Sequence, residues 1–279
     1  MKGFVMTLIV ISYILLIVAL ATSLHNSHLS LERSLLEPQP LLYSAAFFDD
    51  VGYDVNEIAG PEISIIQGNE SVGISIHEML PKNNYTEELE NYEDFIEGAF
   101  AHANVSADFS SLTNGTLELY INEEYLYQNQ YNGDNEILFK SISGGTNVSE
   151  YSINITMWKI RKSVENFEWD DGEPGAINVT LIYSDRNGTE IASGQLDPSE
   201  VNYFKIVYEG NETPQVEIKI GSVGGSTGAF WIREYNTSID FSFHADVPLQ
   251  DYDGGFGYYY DAVLNYTMAD VSKTGQIGR

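Results

Sequence analysis

Tyr151-Ser-Ile-Asn-Ile-Thr-Met157 places an apolar side chain at every second position, and Ile177-Asn-Val-Thr-Leu-Ile-Tyr183 does the same at Ile177, Val179, Leu181 and Tyr183. Successive side chains on a strand point to opposite faces, so this period of two marks strands with one buried and one solvated face. Strands of that kind belong to antiparallel sheets. The pattern sets in at Leu117 and returns in Val216-Glu-Ile-Lys-Ile220, Ile239-Asp-Phe-Ser-Phe-His-Ala245 and Tyr260-Asp-Ala-Val-Leu-Asn-Tyr266. Asn114–Gly115, Asn132–Gly133 and Asn187–Gly188 offer the positive φ that tight hairpin turns require.

Ahead of Leu117 the pattern is mixed. Leu41–Phe48 reads as helix, Ile63–Ile66 and Val72–Ile76 as short strands. Between Tyr85 and His102, Leu89, Tyr92, Phe95, Ile96, Ala99 and Phe100 follow helical spacing, with Thr86 as the expected N-cap. The expected fold class is α+β, with a mainly antiparallel, sandwich-like head. Asp170-Asp-Gly-Glu-Pro-Gly175 divides this head into segments 38–167 and 168–279, either as a linker or as a long loop inside one domain.

Residues 1–37 differ from the rest. Between Lys2 and Glu32 no side chain carries a full charge, and residues 4–24 are almost wholly apolar. A helix of about 20 apolar residues crosses a hydrocarbon core of about 30 Å, so this block is expected to be a transmembrane helix. Lys2 and the α-amino group set the N-terminus on the cytoplasmic side and the C-terminal head outside. Leu24, His28, Leu31 and Leu35 continue a helical stripe beyond the membrane, and Pro38 and Pro40 are expected to end it.

Lys and Arg number 13 against 41 Asp and Glu, a formal net charge of −28. Such a surface repels phosphate backbones, which excludes nucleic acid as a partner class. With no Cys there is neither disulfide nor thiolate chemistry, and the head must hold together by burial. Asn-x-Ser/Thr occurs at Asn69, Asn84, Asn104, Asn114, Asn147, Asn154, Asn178, Asn187, Asn211, Asn236 and Asn265. Eleven of 21 asparagines stand in this context, where chance alone gives about three. The excess points to a glycosylated, extracellular face, with Asn154 and Asn178 on the polar side of their strands.

The candidates for other chemistry are weaker. Gly224-Gly-Ser-Thr-Gly228 matches the serine-hydrolase elbow, with Ser226 as nucleophile, but a strand rather than a helix is expected after it. His25, His28, His77, His102 and His244 show no metal-ligand spacing. No cofactor is expected, and calcium is the one cation that the carboxylate-dense turns Asp170–Glu173 and Asp251-Tyr-Asp-Gly-Gly could take. Tyr125–Tyr131 and Phe256–Tyr260 are aromatic clusters suited to sugar or protein contacts, although core and cross-strand pairing is the commoner use of such residues.

Met1-Lys-Gly-Phe-Val-Met-Thr-Leu-Ile resembles the processing site of type IV prepilins and archaeal pilin-like proteins. The resemblance covers about the first 37 residues. It implies cleavage between Gly3 and Phe4, a helix that holds the subunit in the membrane or packs with other pilin-like subunits, and a β-rich head outside. Where major pilins carry Glu, the fifth residue from Phe4 is Leu8, which implies a minor or non-polymerising role. An uncleaved anchor and a signal peptide cut after Ala21 are the alternatives. The expectation for function is a single-pass cell-surface glycoprotein in the plasma membrane, a pilin-like or adhesion/scaffold component without catalytic activity. A membrane-anchored module that recognises a glycan or an envelope protein is the rival reading, and a surface serine hydrolase a remote third.

Overall fold

The computed structural model describes residues 38–278 except positions 69, 81–83, 101–103, 132–134, 146–147, 158–163, 170–175, 209–214, 236–237, 249–256 and 269–270. At 38–43, 164–169, 208, 268 and 271 the description is of the backbone only. In chain order the elements are α1 (Pro38–Ala59), β1 (Glu62–Gln67), β2 (Ser71–Leu80), α2 (Thr86–Ala99), β3 (Asn104–Asp108), β4 (Thr116–Ile121), β5 (Tyr125–Gln130), β6 (Asn135–Ser141), β7 (Glu150–Met157) and β8 (Val164–Trp169). They continue with β9 (Ile177–Asp185), β10 (Gly188–Leu196), β11 (Val201–Tyr208), β12 (Val216–Val223), β13 (Ser226–Glu234), β14 (Ile239–Pro248), β15 (Tyr258–Met268) and β16 (Val271–Gly278).

The period-two stretches all become strands with the expected phase. On β7 the side chains of Tyr151, Ile153, Ile155 and Met157 are buried while Asn154 is exposed. β14 buries Ile239, Phe241, Phe243, Ala245 and Val247. Two sheets result: a six-stranded one in the order β1-β2-β14-β7-β9-β10, and a ten-stranded one in the order β16-β15-β4-β5-β6-β13-β12-β11-β8, with β3 also paired to β15. Among the described residues all pairings are antiparallel except β7 with β9, which run parallel because β8 crosses to the other sheet between them.

Between the sheets the inward aromatics interlock. Phe243 of the smaller sheet lies 5.2 Å from both Phe139 and Phe230, and 6.3 Å from Tyr127, all on the larger sheet. Aromatic pairs at such spacings are worth roughly 0.5–1.5 kcal/mol beyond the area they bury. The larger sheet extends beyond the smaller, and α1 covers part of it. Phe47, Phe48, Val51, Val55 and Ala59 form its buried stripe, and Asn56 Oδ1 accepts a 2.6 Å hydrogen bond from the Tyr260 hydroxyl.

Several sequence expectations are corrected. α1 begins at Pro38 and runs to Ala59, well past Phe48. Pro38 and Pro40 therefore open a helix, in the first turn where the missing N–H costs nothing. Thr86 is the first residue of α2, not its N-cap; Tyr85 holds that position, and Asn84 Oδ1 accepts from the Thr86 N–H at 3.0 Å. Asn114–Gly115 joins β3 to β4, which do not pair with each other, so it closes no hairpin. In the β9–β10 hairpin Asp185 pairs with Gly188, and only Gly188 has positive φ, at 152°. The β4–β5 hairpin instead uses Asn122 and Glu123, with φ of 53° and 58°.

Segments 38–167 and 168–279 are not separate units. The boundary falls inside β8, β14 lies between β2 and β7, and β13 pairs with β6. Both segments supply strands to both sheets, so they share one core. The apolar block 4–24 lies outside the described residues, among which no helix is long and apolar enough to cross a membrane.

Because Phe243 is buried against three aromatic side chains of the larger sheet, Phe243→Ala is expected to lower the unfolding free energy by about 3–5 kcal/mol. Urea denaturation followed by far-UV circular dichroism measures it. A loss below about 1 kcal/mol would mean that the sheets do not pack as described.

Candidate functional site

Burying one face of the smaller sheet leaves the other to the intervening residues, and cross-strand register sorts these into rungs. One rung runs Glu62, His77, Ser242, Asn154, and the next runs Ser64, Ser75, His244, Ser152, across β1, β2, β14 and β7. Together they line a shallow groove of about 470 Å³. Ser75 Oγ and His244 Nδ1 are 2.8 Å apart, and His244 Nε2 is 3.3 Å from Asp246 Oδ1. The imidazole lies across Gly73, where an added Cβ would come within 2.6 Å of its Cε1. Glycine at 73 therefore makes room for the ring.

Ser75, His244 and Asp246 have the residue types of a hydrolytic triad but not its surroundings. Ser75 sits in mid-strand, with β2 paired on both sides, so its neighbouring amides are committed to the sheet and form no oxyanion-binding pair. A nucleophile elbow needs the opposite, a sharp turn that frees those amides.

His77 joins three strands. Its Nε2 is 2.6 Å from Asp240 Oδ1 on β14 and its Nδ1 is 3.2 Å from Glu62 Oε2 on β1. Burial by itself lowers the His77 pKa, but the hydrogen bonds to Asp240 and Glu62 and the charges of these carboxylates outweigh it and hold it above 6.5.

On the inner face of the same strand, β2, Glu78 interrupts the run Val72, Ile74, Ile76 and Leu80, and is only 4% exposed. Its carboxylate accepts from the Tyr127 hydroxyl and, at 2.5 Å, from Asn129 Nδ2, both on β5. Burial and the adjacent Glu78 push the Tyr127 hydroxyl pKa well up, so it remains a donor. Asn129 Oδ1 is buried without a hydrogen-bond partner among the described residues. Glu78 also reaches a cleft of about 410 Å³ with Glu62, His77, Asn84, Tyr85 and Glu88 in its lining. Among the described residues no three His, Asp or Glu side chains are grouped to hold a metal ion.

The outer face of the larger sheet is different in kind. Tyr203, Lys219, Trp231, Leu138, Gln128 and Glu118 form one rung across six strands. Lys219 Nζ lies 3.9 Å from the centre of the Trp231 ring and 5.6 Å from that of Tyr203. Glu136 bonds both the Trp231 indole N–H, at 3.3 Å, and Arg233, at 3.0 Å. Lys140, Lys205, Lys219 and Arg233 are thus gathered on one face of an otherwise acidic chain.

The acceptor asparagines fall as follows. Asn84, Asn104, Asn114, Asn154, Asn178 and Asn187 are exposed and Asn265 is half-buried, whereas Asn69, Asn147, Asn211 and Asn236 lie outside the described residues. Gly3, Phe4 and both carboxylate-dense turns, 170–173 and 251–255, also lie outside them. Ser226 is 3% exposed at the start of β13, after a Gly224–Gly225 turn with φ of 60° and 79°. It lies on the larger sheet, while His244 is on the smaller one, so the elbow pattern does not bring a nucleophile to a base. Tyr125, Tyr127 and Tyr131 are buried, as is Tyr260, and Tyr259 stacks on Tyr120 at 5.4 Å; these tyrosines serve core and strand pairing rather than loops.

Sequence reading did not find Ser75, Glu78 or the Trp231 rung. Ser75 and His244 are 169 positions apart and meet only through register. Glu78 alone left a local signal, a carboxylate on the apolar phase of its strand. Compared with known proteins, the chain matches no family model, no curated sequence and no solved structure.

A histidine whose pKa is higher folded than unfolded adds stability that is complete below the unfolded pKa and lost as pH rises through the folded one. The stability of the native chain relative to His77→Gln should therefore be greatest in mild acid and disappear toward alkaline pH. Thermal melts of both proteins across that range test it; a difference that grows with pH would refute the assignment.

Proposed function

We propose that the chain is a single-pass cell-surface glycoprotein whose β-sandwich head stands outside the plasma membrane on the 4–24 helix, as a pilin-like or adhesion/scaffold component without catalytic activity. The observation that carries this reading is the placement of the acceptor asparagines. All seven that are described reach solvent, four of them from within strands, where a shift of one residue would have buried them. The fold does bury asparagines, Asn129 and Asn202, and neither stands in an Asn-x-Ser/Thr context. The strongly acidic surface suits a protein that stays soluble among other envelope components.

Mass spectrometry of the protein isolated from its native membrane tests both parts. Glycopeptides are expected at exposed sites such as Asn104, Asn154 and Asn178, and the mature chain is expected to begin at Phe4, or at Met1 if the anchor is not processed. Unmodified peptides throughout would refute the glycoprotein reading, and a chain beginning at Thr22 would refute the anchor.

The Trp231 rung favours a second reading, a membrane-anchored module that recognises a glycan. A cleft of about 200 Å³ beside Trp231 is lined by Gln128, Gln130, Glu136 and Leu138, an aromatic ring with amide and carboxylate groups at its edge. On this reading Trp231→Ala abolishes retention on immobilised glycans and leaves the chain's recovery with sheared surface filaments unchanged. Undiminished retention would remove it.

A further inference from the structure

Resting on the glycoprotein reading, we propose that the groove on the smaller sheet is the seat of the glycan carried by Asn154 of the same chain. Asn154 is part of the groove's lining, exposed in the middle of β7. Its hydrogen-bonding environment sets it apart from neighbouring acceptor sites. Asn178 Oδ1 accepts from Gln195 Nε2 at 3.1 Å, Asn114 Oδ1 from the Thr116 N–H at 2.9 Å, and Asn84 Oδ1 from the Thr86 N–H at 3.0 Å. No such bond ties the Asn154 amide among the described residues, so none of them fixes the direction in which it carries its glycan.

The chemistry of the groove matches a sugar. Its two rungs contribute four serine hydroxyls, two imidazoles, the Asn154 amide and one carboxylate, with neither Lys nor Arg. Hydroxyl groups both donate and accept, as sugar hydroxyls do, so each serine contact can form in either sense. The imidazoles are held in place before any ligand arrives, His244 between Ser75 and Asp246, and His77 between Asp240 and Glu62. Such preorganisation reduces the ordering cost of binding.

Reach and affinity are consistent as well. Strands are spaced about 4.7–4.9 Å apart, so the three steps from Asn154 to Glu62 span roughly 14 Å. The volume of about 470 Å³ lies within the range of about 300–1,000 Å³ usual for small-molecule sites. Attachment gives the sugar a local concentration in the millimolar range, so even a weak groove fills. The smaller sheet, open to solvent on this face, gains a cover made of the chain's own carbohydrate.

Histidine footprinting tests the seat. Full-length protein from native membranes, in detergent, is treated with diethyl pyrocarbonate and compared with Asn154→Gln, Thr156→Val and Asn178→Gln, each carrying its remaining glycans. The native chain is expected to react several-fold more slowly at His77 and His244 than Asn154→Gln or Thr156→Val. Asn178→Gln, which removes a neighbouring glycan, should react as the native chain does. Two variants that remove the same glycan through different residues separate its loss from damage to the sheet. If Asn154 carries glycan and the rates are equal, the seat is refuted while the glycoprotein reading stands. If Asn178→Gln raises the rates as much as Asn154→Gln, the protection is general crowding and the seat is refuted. An unmodified Asn154 peptide in the native protein removes the acceptor site itself and the inference with it.

Discussion

The fold depends on burial between the two sheets, and the aromatic contact lies at its centre. With no disulfide available, Phe243 against Phe139, Phe230 and Tyr127 helps to hold the two sheets face to face. Along a regular strand successive side chains alternate between faces, so once the inward set is fixed the outward set follows. The His77–Ser242–Asn154 rung, the His244–Ser75 pair and the Lys219–Trp231 contact are all consequences of that phase.

The two outer faces are chemically unlike. On the smaller sheet the groove is lined by hydroxyls and imidazoles whose only charges are carboxylate or histidine in origin. Across the larger sheet, lysine and arginine lie over aromatic rings, an arrangement worth about 0.5–1 kcal/mol at an exposed site. In a chain with a net charge of −28, four of the cations stand on this face beside carboxylates, Lys219 with Glu217 at 3.6 Å and Arg233 with Glu136 at 3.0 Å.

Strand content and phase were legible because they are local. Tyr151–Met157 and Ile239–Ala245 carry their burial pattern in the residue order itself, and the outward placement of Asn154 and Asn178 comes with it. Topology was not legible, since nothing in Ile239–Ala245 says that this strand inserts between β2 and β7. For the same reason Ser75 and His244 could not be paired in advance. The turns misled for a different reason: Asn-Gly is a strong local preference, yet at Asn114–Gly115 the flanking strands find other partners, and at Asn122–Glu123 the sheet holds two residues without glycine's freedom at positive φ. Tertiary pairing overrides turn preference when the flanking strands are fixed elsewhere.

Glu78 shows how far the same constraint reaches. A carboxylate on the inward phase of β2 would ordinarily be expelled, because burying an unpaired charge costs far more than one strand position contributes. Here β5 brings Tyr127 and Asn129 to it, two donors on alternate inward positions of one strand, so the group stays hydrogen-bonded within the core. Removing the carboxylate would leave both donors buried, and removing either donor would leave the carboxylate under-satisfied. The three residues therefore specify the relative register of β2 and β5, one strand from each sheet, in a way that interchangeable apolar contacts do not. Packing of the aromatics holds the sheets together, and this polar triplet fixes how one lies on the other. That registration carries Asn154, His77 and His244 to one face and Trp231 to the opposite one.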